Sequence, residues 1–482
     1  MKGVNEMERR FSGKYMDDLY ALEQMLRADK SYDIIIKKIK VADKKATLYC
    51  VDGFVKEEVL EKMFEFLISI SPEDIKNIST ADSLNDNVLT YIECDTVSTV
   101  DEAVIKVLSG STVMVVEDIS GAIIIDARTY PARGVGEPES DKVLRGSHEG
   151  FVETLVFNTA LIRRKIRDPK LTMELFTAGE RSKTDIVLCY LEDKADPKKL
   201  SMLQKKLRSI RVESLPMSQE SLKECLVPGQ RWNPFPKVRY TERPDTASAC
   251  VYDGNIIILV DGSPSAMIVP TGIFDFIQDI NDYYFSPATG AFLRYVRILV
   301  FSLSMLLTPI WYLMVKNPDW IPDWMKFIII DQPYSVPIFA QLLVVEFVID
   351  ALKLASMSTP SALSNSFSVV AALVLGEFAV SSGLFSAEVV LFMAFVAIAN
   401  FTQPSFELGY AIKLSRLLLI LLVAAFNLWG FIGGLAVIAL TVCFTKTIDG
   451  YTYLYPIYPF NKEALRSLFI RRNIRVSYDV KE

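Results

Sequence analysis

The chain has 482 residues, a formal net charge of -6 and a single histidine, His148. That charge balance excludes the basic surface nucleic acid requires, and Cys50, Cys94, Cys189, Cys225, Cys250 and Cys443 show no CxxC pairing, which argues against a disulfide framework and a zinc centre alike. Hydrophobic residues make up 51%, and the long apolar runs crowd into the last third, so a soluble front end followed by a membrane block is expected.

Residues 1–30 mix Glu6, Glu8, Arg9, Arg10, Asp17, Asp18 and Glu23 with apolar residues. No secretory leader is expected there, and the front end should stay on the cytoplasmic side. β-rich runs at 32–39 and 46–51 predict strands, and the spacing over 56–68 predicts a helix. Runs at 112–116 and 122–125, around Asp118, Ser120 and Gly121, predict a hairpin. A polar stretch at 133–142 with Gly134, Gly136 and Pro138 predicts a linker, giving two α/β subdomains over 1–135 and 136–290.

In the second subdomain, 149–166 predicts an amphipathic helix with Phe151, Leu155, Ile162 and Ile166 on one face. Arg163, Arg164, Lys165 and Arg167 crowd its last turn, where cations suit the helix dipole. Strands are predicted at 185–191, 248–252 and 255–260, the last two joined through Asp253-Gly254, a hairpin signal. Arg243-Pro244-Asp245 reads as a turn held by side-chain hydrogen bonds or, with Glu242, as a contact to a ligand or another subunit. His148 reads either as an exposed residue at a helix start or as a pH switch. No P-loop, dinucleotide-binding or nucleophile-elbow pattern occurs, so no enzyme and no cofactor is expected.

The membrane block, 291–455, carries apolar runs at 295–315, 336–352, 367–380, 388–401 and 412–444. Arg294 and Arg297 stand at the mouth of the first, and the basic tail over 456–482, with Lys462, Arg466, Arg471, Arg472, Arg475 and Lys481, belongs on the same side by the positive-inside rule. Trp320 and Trp324 mark an interfacial loop on the far side. Gly430, Gly433 and Gly434 allow the long last run to fold into a helical hairpin; six short spans follow, or four with a re-entrant segment. The second run carries Glu346, Asp350 and Lys353 on one helical face, either on an ion pathway or as interhelical glue. Ser361, Ser364 and Asn365 in the hydroxyl-rich stretch that follows either line a pore or let helices pack closely, and Glu377 is expected at an interface.

Two segments carry a resemblance. Glu137-Pro138, then Arg145-Gly146-Ser147-His148-Glu149-Gly150-Phe151-Val152-Glu153, Asn158 and Leu161-Ile162-Arg163-Arg164 form the first. Pro234-Phe235-Pro236, Tyr240-Thr241-Glu242-Arg243-Pro244-Asp245 and Asp261-Gly262-Ser263-Pro264 form the second. Both resemble the A subunits of GerA-type spore germination receptors, and Ser147-His148, where nutrient receptors more often carry Pro-Arg, is most similar to the stage V sporulation protein AF branch. The resemblance implies a multi-pass protein of the spore inner membrane with its N-terminal domain on the core side, contributing to cation release in germination as a subunit of an oligomeric ion channel. It also implies a homo-oligomer, a pentamer, with a small membrane partner; the alternative is a non-conducting scaffold or ligand-sensing subunit. Arg163, Arg164, Glu242, Arg243 and Asp245 are then candidates for subunit or subdomain contacts, and Glu346, Asp350, Lys353, Ser361, Ser364, Asn365 and Glu377 for intramembrane polar positions.

Overall fold

A computed structural model of the chain describes residues 9–89, 91, 93–129, 146–227, 233–279, 281–330, 334–358 and 379–469. The chain divides into two compact units, Met1–Pro228 with Tyr240–Pro270 and Gly229–Arg239 with Thr271–Glu482. The linker expected over 133–142 and the apolar run over 367–378 lie outside the described residues.

The first unit contains two sheets built on one plan. In the first half α1 (Tyr15–Leu26), β1 (Ile34–Val41), β2 (Lys44–Val51), α2 (Glu57–Ser69), α3 (Pro72–Ile75), α4 (Ala81–Asn87), β3 (Cys94–Val97), α5 (Val100–Leu108), β4 (Thr112–Val116) and β5 (Ala122–Ile125) follow in order. The second half runs α6 (Leu155–Lys165), β6 (Leu171–Ala178), β7 (Thr184–Leu191), α7 (Pro197–Ser209), α8 (Gln219–Leu226), β8 (Arg239–Thr241), α9 (Pro244–Tyr252), β9 (Ile256–Val260) and β10 (Ala266–Val269). The strand orders are β1-β2-β4-β5-β3 and β6-β7-β9-β10-β8, the same crossover repeated. Local details repeat as well. The Phe11 N–H donates to Ser98 O and the Phe151 N–H to Glu242 O, while the next N–H in each case, of Ser12 and Val152, donates to a side-chain oxygen, of Asp18 and Asn158. Each half is therefore a copy of one αββ…βαββ plan.

Helices cover both faces of each sheet, which is why the central strands are apolar throughout rather than alternating. Along β2, Tyr49 faces α1 and α5 with Leu22 and Val104, whereas its neighbour Leu48 faces the other helices with Leu67 and Leu84. Each such leucine, fully withdrawn from water, stabilises by about 1.5–3 kcal/mol. In the second half Ile257 and Leu259 of β9 pack with Ile162 and Val251 of α6 and α9.

Several sequence expectations are corrected here. The segment predicted as a strand at 248–252 is the end of α9, which starts at Pro244, a residue whose missing N–H and fixed φ suit a first helical turn. Asp253-Gly254 is that helix's terminus rather than a hairpin turn. Gly254 has φ +91°, and a Cβ there would lie 2.8 Å from Lys194 O. The helix predicted from 149 begins at Leu155, so Glu149 and Phe151 belong to the irregular segment that precedes it. The hairpin predicted around Ser120-Gly121 is present, with β4 and β5 antiparallel.

In the second unit α10 (Asn281–Tyr284) leads into α11 (Pro287–Lys316), followed by α12 (Ile338–Ser358), α13 (Ala387–Phe401), α14 (Phe406–Phe444) and α15 (Lys462–Phe469). α11 and α14 are long and apolar enough to cross a membrane. α14 is two helical arms. Asn427, at φ 54° and ψ -132°, breaks it, and beyond the break Gly430 lies against Leu422 while Gly434 lies against Leu419, so the second arm runs back along the first. Helix ends leave carbonyls without partners. Here the Lys316 ammonium donates to Val423 O and Ala424 O, and Asn317 and Asn427 exchange amide hydrogen bonds at 2.8 and 2.9 Å.

Gly430 makes the close return possible, since a Cβ would overlap Leu422 O. Gly430→Ala should force the arms apart and lower stability by roughly 1–3 kcal/mol or more, as overpacking does. Gly433→Ala, with open space at its Cβ, is the control. Thermal unfolding of the two detergent-solubilised variants checks this; equal midpoints would disprove the close return.

Candidate functional site: buried charges in the helical unit

Glu346 and Asp350 stand one turn apart on α12, as their i, i+4 spacing requires. Their partners come from α14. Glu346 Oε1 accepts from Arg416 Nη2 at 2.6 Å, Lys413 Nζ lies 3.3 Å from the same oxygen, and Lys413 also pairs with Asp350. A second Arg416 nitrogen donates to Ser304 O of α11 at 2.7 Å. Pro309, further along α11, has no N–H to donate to Met305 O, the carbonyl next to that of Ser304. Arg416 is 0% exposed, Glu346 4% and Lys413 6%, so the group is shielded from water; Asp350, half-exposed, is its outer edge. Two carboxylates meet two cations, and the cluster is neutral within one chain.

Lys353, the third member of the expected face, does not join this cluster. Its ammonium sits over the rings of Tyr410 and Phe406, 4.6 and 5.3 Å from their centroids. Ser361, Ser364, Asn365 and Glu377 lie outside the described residues. Sequence reasoning missed Lys413 and Arg416. The signal was available: two cations three residues apart inside an apolar run need acidic partners, and Glu346 and Asp350 are the acids of the neighbouring run.

Further polar atoms are buried in the same unit. Among the described residues Thr308 Oγ1, Glu346 Oε2, Asn400 Oδ1, both amide atoms of Gln403 and Arg416 Nε have no hydrogen-bond partner. Buried polar atoms in native proteins are commonly satisfied by ordered water.

In the soluble unit, Arg163 of α6 is among the largest fully buried side chains of the described residues. It grips Asp33, at the head of β1, through two bonds of 2.8 and 3.0 Å, with both side chains 1% exposed. Arg163 also donates to Leu171 O and Asp168 O, so one guanidinium ties the two halves together. Tyr32 adds a backbone bond to Met173 O and a hydroxyl bond to Thr159. Burial, helped by Asp33, pushes the Cys189 thiol far above its usual range, against a smaller opposing effect of Arg163. Burial likewise raises the Tyr32 phenol, and it raises the Asp52 carboxyl against the N–H of Gly53. Arg164, by contrast, makes a half-exposed pair with Glu149. Arg243 is buried and forks onto Asp245 at 3.0 and 2.6 Å, holding the start of α9, while Glu242 accepts the Phe151 N–H through its carbonyl. Among the described residues no group of three or more His, Cys, Asp or Glu side chains could hold a metal.

The family described as Bacillus/Clostridium GerA spore germination protein matches residues 21–479. Stage V sporulation protein AF of Bacillus subtilis (strain 168) is 40% identical over 92% of this chain and 89% of its own length. Spore germination protein GerLA of Bacillus cereus is 29% identical over 85% and 84%. Among solved structures, the N-terminal domain of the A subunit of the Bacillus megaterium spore germinant receptor GerK3 aligns at 21% identity and a TM-score of 0.43, covering 55% of this chain and 97% of that one. The chain is a member of the GerA spore germination protein family.

Proposed function

We propose that this protein acts in germination as a multi-pass protein of the spore inner membrane, one subunit of a homo-oligomeric, cation-conducting assembly, with its soluble unit on the core side. Family membership supports the germination role. α11, α12, α13 and the two arms of α14 supply five crossings in this reading, and the apolar run at 367–380 supplies the sixth. Six crossings return the basic tail to the side of the soluble unit. The pentamer and the small membrane partner implied by the family resemblance belong to the same reading.

The observation that carries conduction is the set of buried polar atoms that find no partner among the described residues, on Thr308, Glu346, Asn400 and Arg416 of four helices and on Gln403 of the turn between α13 and α14. In this reading water occupies that path, and the neutral Glu346–Arg416–Lys413–Asp350 cluster sets its polarity without holding a fixed cation. Glu346 and Asp350 then border that path as part of a buried, neutral cluster rather than forming a ring of bare carboxylates.

A second reading, the non-conducting scaffold, is favoured by one observation: the charges pair inside a single chain. The discriminating experiment removes polar atoms and leaves the ion pairs. Thr308→Val and Asn400→Leu should assemble like the parent and lower cation flux in a planar bilayer severalfold, with slower cation release from spores. A parent protein that assembles but passes no current, alone or with its partner, would reject conduction and leave the scaffold.

A further inference from the structure

We propose that the turn over 454–460 and helix α15 form a foot that lies in the lipid headgroup layer at the root of the first crossing helix. The turn is built to present apolar side chains outward. Tyr453 anchors it, fully buried, with its hydroxyl donating to Pro236 O at 2.6 Å and its carbonyl accepting from the Ile273 N–H. The Ile457 and Tyr458 N–H groups both bond Leu454 O, and the Asn461 N–H bonds Pro456 O, closing a tight loop. From that loop Tyr455, Ile457, Tyr458 and Phe460 stand 46%, 49%, 67% and 70% exposed. Ordered, contiguous apolar exposure of this kind marks a surface that is covered in use.

α15 continues the same surface. Asn461 caps it by accepting the Glu463 and Ala464 N–H groups. Leu465, Leu468 and Phe469 then fall on one face and Lys462, Glu463 and Arg466 on the other, the division of an in-plane interfacial helix. Lys462 and Arg466 are exposed and make no ion pair among the described residues.

What covers this face is argued from its continuity with α11. The Phe469 ring stacks on Tyr295 at 6.0 Å, and Arg294 Nη1 donates to Leu468 O. Arg294 and Arg297 both clamp the buried Asp282 carboxylate of α10, which fixes the root of α11 against α15. On α11 itself Phe292, Tyr295 and Leu299 are exposed, so the apolar side of the foot runs without a break onto the lipid-facing side of the helix. Tyrosines at that level and ammonium and guanidinium groups beside them match acyl chains below and lipid phosphates above. The occupant is therefore the bilayer surface, not a protein.

This inference rests on α11 crossing the bilayer, and the test separates the two. Nitroxides are placed by Phe460→Cys, Glu463→Cys and, as the control, Leu299→Cys, in the full-length chain reconstituted into phospholipid vesicles, with exposed Cys443 replaced by serine. Accessibility to oxygen, which partitions into lipid, is compared with accessibility to a water-soluble nickel complex. The expected result is a severalfold higher oxygen-to-nickel ratio at Phe460 than at Glu463, with Lys462→Glu/Arg466→Glu lowering the ratio at Phe460. A lipid-exposed Leu299 with Phe460 open to nickel would put the foot in water and overturn the inference. Phe460 inaccessible to both reagents would mean that a protein covers it, which also overturns it. Leu299 open to nickel would instead reject the crossing itself.

Discussion

Arg416→Gln should be among the most damaging single changes in the helical unit, lowering stability by about 3–5 kcal/mol, because it leaves Glu346 buried against half of its former positive charge. Glu346→Gln should be nearly as harmful for the opposite reason, since it leaves the buried Arg416 without a carboxylate while Lys413 keeps only Asp350. The double variant Glu346→Gln/Arg416→Gln should recover most of the loss, as two neutral amides facing each other need no counter-charge. Unfolding midpoints in detergent, read by size exclusion after heating, give all three values and hence the coupling. The magnitude decides between descriptions of the cluster. A pair open to bulk water contributes at most about 1 kcal/mol; a small single-variant loss with no recovery in the double would show the cluster to be solvated and would remove it as a buried centre.

The same cluster shows what could be read from the residues in advance. Intramembrane charge is so unfavourable that Glu346 and Asp350 stand out in any apolar run, and the hairpin in α14 follows from three glycines in a stretch too long for one crossing. The partners were harder because Lys413 and Arg416 sit near the start of their run, where snorkelling to the interface is an equally good account of a cation. Pairing in three dimensions, through an arm that starts at Phe406, distinguishes the two. In the soluble unit β1, β2, β4 and β5 follow from β-rich patterning, but the short β3 and the helix α9 do not. For α9, Pro244 and Gly254 are a helix start and a helix stop that also serve as turn signals, and only the buried Ala247 and Val251 facing β9 decide the matter. The repeat of the two halves is carried by strand order and by backbone hydrogen bonds such as those of Phe11 and Phe151. Side chains at equivalent places have diverged, Asp18 against Asn158 for one, so no period is visible along the chain.

The joint between those halves leads to the second large expected effect. Arg163 and Asp33 are both sealed from water, and the arginine satisfies two carboxylate oxygens and two backbone carbonyls at once. Arg163→Met keeps the length of the side chain and most of its packing but leaves Asp33 an unpaired buried carboxylate, so a loss of about 3–5 kcal/mol is expected. Arg164→Met, one residue along, removes a pair in which both side chains are more than a third exposed, and it should change stability by less than about 1 kcal/mol. Asp33→Asn/Arg163→Met should restore part of the loss, since an amide replaces the stranded charge. Limited proteolysis of the full-length variants reads where the damage falls. If Arg163 ties the halves together, cleavage should rise between them and in both, whereas an arginine that merely ends α6 would expose only the segment from Arg164 to Pro169. Equal protection of Arg163→Met and the parent would show that the joint is held by the backbone bonds of Tyr32 and the packing around it, with the ion pair adding nothing.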